Sequence, residues 1–193
     1  AVEAVESHLH PTPSFVVDDH PFPDGREEIW RFSPLRAMRP LLTDAPSGAH
    51  LTWTENFPEG VTTHVVTPTE AKLLVAEPPI DRVSALAAAR CGGAKVIEVA
   101  AGADITEPVS ITLTGTGEHV WGHVIFKVGA HSTSTILLRH EGSASYATKV
   151  DVLVGDGARV NFVSIQDWAD DALHGGHHSV LVGRDAQVRT VTV

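Results

Sequence analysis

The chain has 193 residues, 42% hydrophobic and 20% charged, with a formal charge of −10 from 14 basic and 24 acidic side chains. This composition supports a packed core and excludes disorder, which pairs low hydrophobicity with high net charge. It holds no apolar run of the roughly 18 residues that a membrane-spanning helix requires, and no basic cluster to attract nucleic acid or anionic membrane.

Cys91 is the only cysteine. It excludes an intrachain disulfide framework and a metal cluster held by this chain's thiolates alone, and it fits a reducing, cytoplasmic setting. The opening AVEAVESHLHPTPSF has no basic stretch followed by an apolar one, so no secretory signal is expected. His8 and His10, in that opening, are given no role.

Residues 1–93 form an N-terminal region with short helices. Most of the prolines lie before residue 80, and each one removes a backbone donor and restricts the residue before it. Asp24 and Glu27 have capping-box spacing, which predicts a helix over 24–33 that Ser33-Pro34 stops. Ile29, Trp30 and Leu35 would face inward. A second helix is predicted over 81–90. Asp81 caps RVSALAAAR, Val83, Leu86, Ala87 and Arg90 share one side, and Cys91-Gly92-Gly93 ends it.

From Ala94 to the end the pattern is β. Short runs such as AKVIEVA, PVSITL, STILLRH and RVNFVSIQ alternate with period two between glycines, and in KVDVLV the residues Val150, Val152 and Val154 alternate with Asp151 and Leu153. VLVGDGARV at 152–160 aligns without gaps to VLVGRDAQV at 180–188, 28 residues on. A further step of 28 back places VIFKVGAHS at 124–132 in the same frame, with small residues at 103, 130, 158 and 186. A fixed period in the twenties, built of strands and tight turns, predicts a β-solenoid over 94–193 with coils of about 28 residues. The chain stops inside a strand-like run, VRTVTV, which predicts a truncated solenoid whose apolar end invites self-association.

The most metal-like feature is His174, His177 and His178 in DALHGGHHSV, just after Asp170 and Asp171. The glycines predict a loop over 167–178, and a histidine-dependent metal-binding solenoid enzyme is the alternative reading of that loop. A solenoid enzyme acting on sugars or polyanions would use Trp168 and Asp167 there. His119 and His123 lie too far apart along a strand for easy chelation. There is no phosphate-binding G-x-x-x-x-G-K-[ST] loop and no G-x-S-x-G elbow. Asp18-Asp19 reads as a solvated pair. Cys91 sits at a helix C-terminus, where the dipole disfavours a thiolate. On this reading no residue is assigned as catalytic, cofactor-binding or metal-binding.

GREEIWRFSPL at 25–35, ITEPVSITLTG at 105–115, VDVLVGDGARVNFVSIQDW at 150–168 and HHSVLVGRDAQVRTVTV at 177–193 resemble the SufB/SufD family of iron–sulfur cluster assembly proteins. The last two resemble its SufD branch in actinobacterial form. The resemblance implies a mainly β chain, a right-handed parallel β-helix behind a helix-containing N-terminal region, of which this is the N-terminal part. It also implies a non-enzymatic scaffold that pairs with a SufB-type subunit and a SufC-type ATPase. No cofactor would be bound by this chain alone; a transient Fe–S cluster would belong to the full complex.

Overall fold

The computed structural model describes residues 11–193, so His8 and His10 lie outside the described residues. Two 3₁₀ turns, Val17–Asp19 and Glu28–Trp30, lead into helix α1, Leu35–Leu42. Strands β1 (Thr52–Asn56) and β2 (Val61–Val66) follow, then α2 (Pro68–Ala71), α3 (Arg82–Arg90) and β3 (Ala94–Val99). The long strands β4 (Val109–Val128) and β5 (Thr133–Val154) come next, followed by β6 (Arg159–Trp168), β7 (Leu173–Val182) and β8 (Gln187–Thr192).

Strand β3 pairs with β4, β4 with β5, β5 with both β6 and β7, and β6 with β8, all in parallel. The chain therefore winds into a parallel β-solenoid of about four turns. Stacking puts like on like inside it. Phe126, Val152 and Val180 occupy one column, and Val128, Val154 and Val182 the next. Aliphatic side chains from Val109, Ile111, Ile136, Leu138 and Val150 complete a continuous inner core.

The coil length is not constant. The register advances 29 residues from Val99 to Val128, 26 from Val128 to Val154 and 28 from Val154 to Val182. Four tight corners mark the turns, each with its third residue in the left-handed region: Gly102, His131, Gly157 and Asp185. The next residue returns its N–H to the carbonyl three before it, from Ala103, Ser132, Ala158 and Ala186. The small residue of the second corner is thus the buried Ser132, not Ala130 as a uniform step of 28 implied. The intervening coil is two residues shorter. At the other corner Gly142, with φ 77°, lies against its neighbour coil, where a Cβ would stand 2.2 Å from the Gly115 carbonyl oxygen. Only glycine combines that backbone conformation with that approach.

The N-terminal region departs from expectation. No helix spans 24–33. Glu27 turns back to accept the Asp24 and Gly25 N–H groups and closes a local turn, and Ile29 is 47% exposed. The helix begins after Pro34 instead of ending there. Proline fits a helix start, where its missing N–H has no partner to lose. Strands β1 and β2 were not foreseen; they pair antiparallel with β4 and β3 and so extend the first coil. Asp81 caps α3 by accepting the Ser84 N–H and hydroxyl.

Val83, Leu86 and Ala87 of α3 pack with Leu41, Leu42, Trp121 and Ala147, which seats α1 and α3 on the outer face of β4 and β5. Burying each of these leucines contributes about 1.5–3 kcal/mol. The Arg82 guanidinium ties the layer together through the carbonyls of Val17, His20 and Leu42.

Candidate functional site

The segment carrying His174, His177 and His178 is strand β7, not a loop; the turn is confined to 169–172. Its glycines serve close packing. A Cβ on Gly175 would lie 2.9 Å from Leu41 Cδ1, and one on Gly176 would lie 2.7 Å from Thr148 Cγ2. Strand alternation then separates the histidines. His174 and His178 share the inner face with their partners Tyr146 and Val150, while His177, opposite Lys149, faces outward. The three do not converge on one site. Among the described residues, no group of three or more His, Cys, Asp or Glu side chains is placed to hold a metal ion.

On the inner face, His174 stacks on Tyr146 with ring centroids 5.2 Å apart, and His140 and Trp168 close the cluster. Gln166 joins these groups. Its Oε1 lies 3.0 Å from the Trp168 indole nitrogen and 2.8 Å from His174 Nδ1, and its Nε2 lies 3.3 Å from His140 Nδ1. An indole N–H only donates, so the amide oxygen faces Trp168 and the amide nitrogen donates to His140. Burial holds His140 down to about 4 and His174 down to about 3, so both rings are neutral at pH 7. Burial also pushes the Tyr146 phenol up to about 12. These groups form a neutral polar plug inside the solenoid. Residues 34 apart in sequence meet there because successive coils stack.

On the outer face a charged network crosses three coils. Asp151 accepts Lys149 Nζ and the Ala76 N–H at 2.9 Å through Oδ1, and His123 Nε2 at 2.8 Å through Oδ2. The side chains of Lys149 and Asp151 are fully buried. Burial pulls the Asp151 carboxyl upward, but the hydrogen bond from His123 and the Lys149 charge hold it below its usual range. Lys149 Nζ also reaches Ser179 Oγ at 3.4 Å, and His177 Nε2 lies 3.6 Å from Glu77. The network pins the segment leading into α3 onto the solenoid. Asp151, which alternates with the inward Val150 and Val152, is covered by the segment between α2 and α3 that carries Ala76. Cys91 is buried behind α3, its thiol pushed up by burial and directed at the Ala88 carbonyl oxygen.

Asp170 and Asp171 lie at the turn between β6 and β7, and Asp167 pairs with Arg139 across the coils. None of the three reaches the histidines of the inner cluster. No helix among the described residues is long and apolar enough to cross a membrane.

Residues 111–193 match the family model described as the SufBD core domain of the SUF system for FeS cluster assembly. Iron–sulfur cluster assembly SufBD family proteins of Mycobacterium bovis and Mycobacterium tuberculosis are 38% identical over 185 residues, covering 93% of this chain and 46% of each relative. The corresponding protein of Mycobacterium leprae is 37% identical, with 47% of its length covered. The chain thus spans about half the length of the curated relatives it matches. No solved structure gives a significant match.

Proposed function

Since the chain belongs to the SufBD family of iron–sulfur cluster assembly proteins, we propose that it serves as a non-enzymatic scaffold of the SUF complex, in the SufD position, beside a SufB-type subunit and a SufC-type ATPase. The observation that carries the reading is identity sustained over 93% of the chain together with the solenoid itself. Stacked coils make a stiff body with long faces, and an interfacial cluster needs ligands from two chains held in fixed relation.

The side-chain chemistry supports the same division of labour. Iron–sulfur clusters are held chiefly by thiolates. This chain has one cysteine in 193 residues, and burial keeps it a thiol. Thiolate ligands for a cluster would then come chiefly from outside these 193 residues, and the cluster is cargo of the assembly. With its glycines packed and its histidines split between two faces, β7 gives the metal-enzyme reading no constellation to work with.

The test is anaerobic co-expression of the full-length protein with SufB-type and SufC-type subunits, followed by size-exclusion chromatography with light scattering. A stoichiometric ternary complex is the expected result. Separate elution of folded partners would overturn the proposal.

A further inference from the structure

Strand β2 lies at one end of the sheet order and pairs with β3 alone. The Ala100 N–H donates to the Gly60 carbonyl, which fixes the phase of that antiparallel ladder. Backbone groups alternate sides along a strand, so Thr62, His64 and Val66 bond to β3 while Thr63 and Val65 turn both N–H and C=O outward. The Val61 N–H obeys the same phase and turns away from β3 to the Pro58 carbonyl. Among the described residues no strand lies beyond this edge, and no backbone hydrogen bond reaches Thr63 or Val65 from that side.

Soluble proteins commonly blunt such an edge with a charge, a proline or a bulge. β2 has none of these. Its sequence VTTHVV holds five β-branched residues and no Asp, Glu, Lys or Arg, in a chain with 14 basic and 24 acidic side chains. Its register runs unbroken from Val61 to Val66, residues 62–65 are exposed, and Val65 is 70% exposed. The other free edges are protected. β1 carries Glu55, β8 carries Arg189, and β7 is interrupted by Gly175-Gly176.

We propose that β2 is a self-pairing edge, at which a second copy of this chain adds its own β2 in antiparallel sense. About a two-fold axis at His64, Thr63 of each copy exchanges both backbone hydrogen bonds with Val65 of the other, and Thr62 faces Val66. The contact uses the same strand on both copies, so it closes at two. A second copy suits the edge because β-branched residues pair favourably across strands, and because the strand brings no like charges together although the chain carries −10. Beyond the strand, the antiparallel sense turns Glu59 of one copy toward Glu70 and Lys72 of the other, a pair of opposite charges. A contact one strand wide is smaller than a standard interface, so the dimer is weak and reversible. Neither partner subunit of the scaffold reading takes part in it.

The test is sedimentation equilibrium of the 193-residue chain from about 1 μM to about 1 mM, with amide hydrogen exchange at both ends of that range. The average mass should rise from one chain toward two. Exchange at the Thr63 and Val65 amides should slow at least severalfold over the same range, while the β7 and β8 edges exchange as before. Val65→Lys puts a charge on an exposed side chain, and Thr63→Pro removes an outward N–H without touching a ladder bond to β3. Each should keep the chain monomeric across the range. Thr63→Pro also loses the hydroxyl bond to the Val96 carbonyl, so if it does not fold, Val65→Lys decides. A chain that stays monomeric throughout, a dimer that survives Val65→Lys, or protection that grows at β7 or β8 instead of β2 each overturns the proposal.

Discussion

Replacing His140 by phenylalanine isolates the energetic consequence of a neutral imidazole inside the solenoid. His140 is fully buried, and burial lowers it from 6.5 to about 4. Between those values the unfolded chain binds a proton that the folded chain refuses, so this group's stabilisation is complete above pH 6.5 and is lost as pH falls toward 4. Integrating over that window, His140 alone removes about 2 kcal/mol of stability between pH 7 and pH 5. Phenylalanine keeps a ring against Tyr146 and Trp168, and Gln166 Nε2 retains Ser164 Oγ as an acceptor at 2.8 Å. Urea unfolding followed by tryptophan fluorescence at both pH values should show a pH-dependent loss about 2 kcal/mol smaller in His140→Phe than in the unaltered chain. His174 and His178 titrate in both proteins but are coupled to His140, so the difference reports the proton on His140 together with that coupling. An equal loss in the two would refute the claim that the inner cluster excludes the proton.

Gly142→Ala places a methyl group 2.2 Å from the Gly115 carbonyl oxygen at φ 77°, and should cost at least about 2 kcal/mol in thermal or urea unfolding. Lys149→Met leaves the Asp151 carboxylate buried without its cation and should cost about 3–5 kcal/mol. Adding Asp151→Asn should restore part of that, and a strictly additive double variant would show that the two charges are not coupled. Ala158→Leu, at a corner with no exposed surface, should cost about 1–3 kcal/mol by overpacking; a melting temperature equal to that of the unaltered chain would contradict the corner geometry.

The solenoid was legible because inward residues repeat: Val152 and Val180 pair in the structure 28 residues apart, as the alignment places them. Ala130 was misplaced because a sequence repeat carries no warning that one coil is short, and serine serves at that corner as well as alanine. The Asp24–Glu27 pairing signalled a real local turn, but hydrogen bonds that close a turn do not propagate into a helix without following residues to bury. β1 and β2 escaped notice because their exposed faces blur the alternation that marks a half-buried strand. Gly175-Gly176 read as a loop because glycine looks the same in sequence whether it frees the backbone or makes room for Leu41. The inner cluster and the Lys149–Asp151–His123 network are products of stacking. His123 and Asp151, like Tyr146 and His174, lie one coil apart, and only the register brings them together.

The variable coil length has a further consequence. Between Gly142 and Ser145 on one coil and Trp168 and Leu173 on the next, the path lengthens by two residues, yet the pairing on either side stays in step. The flat faces therefore act like the ruled lines of a page, and the corners act as its margins. Within β5 one added residue would turn every later side chain to the wrong face. At the 169–172 turn, extra residues loop outward and leave the columns intact. This architecture confines variation in length to its edges, so a lineage can lengthen a corner while the stacked interior keeps its order.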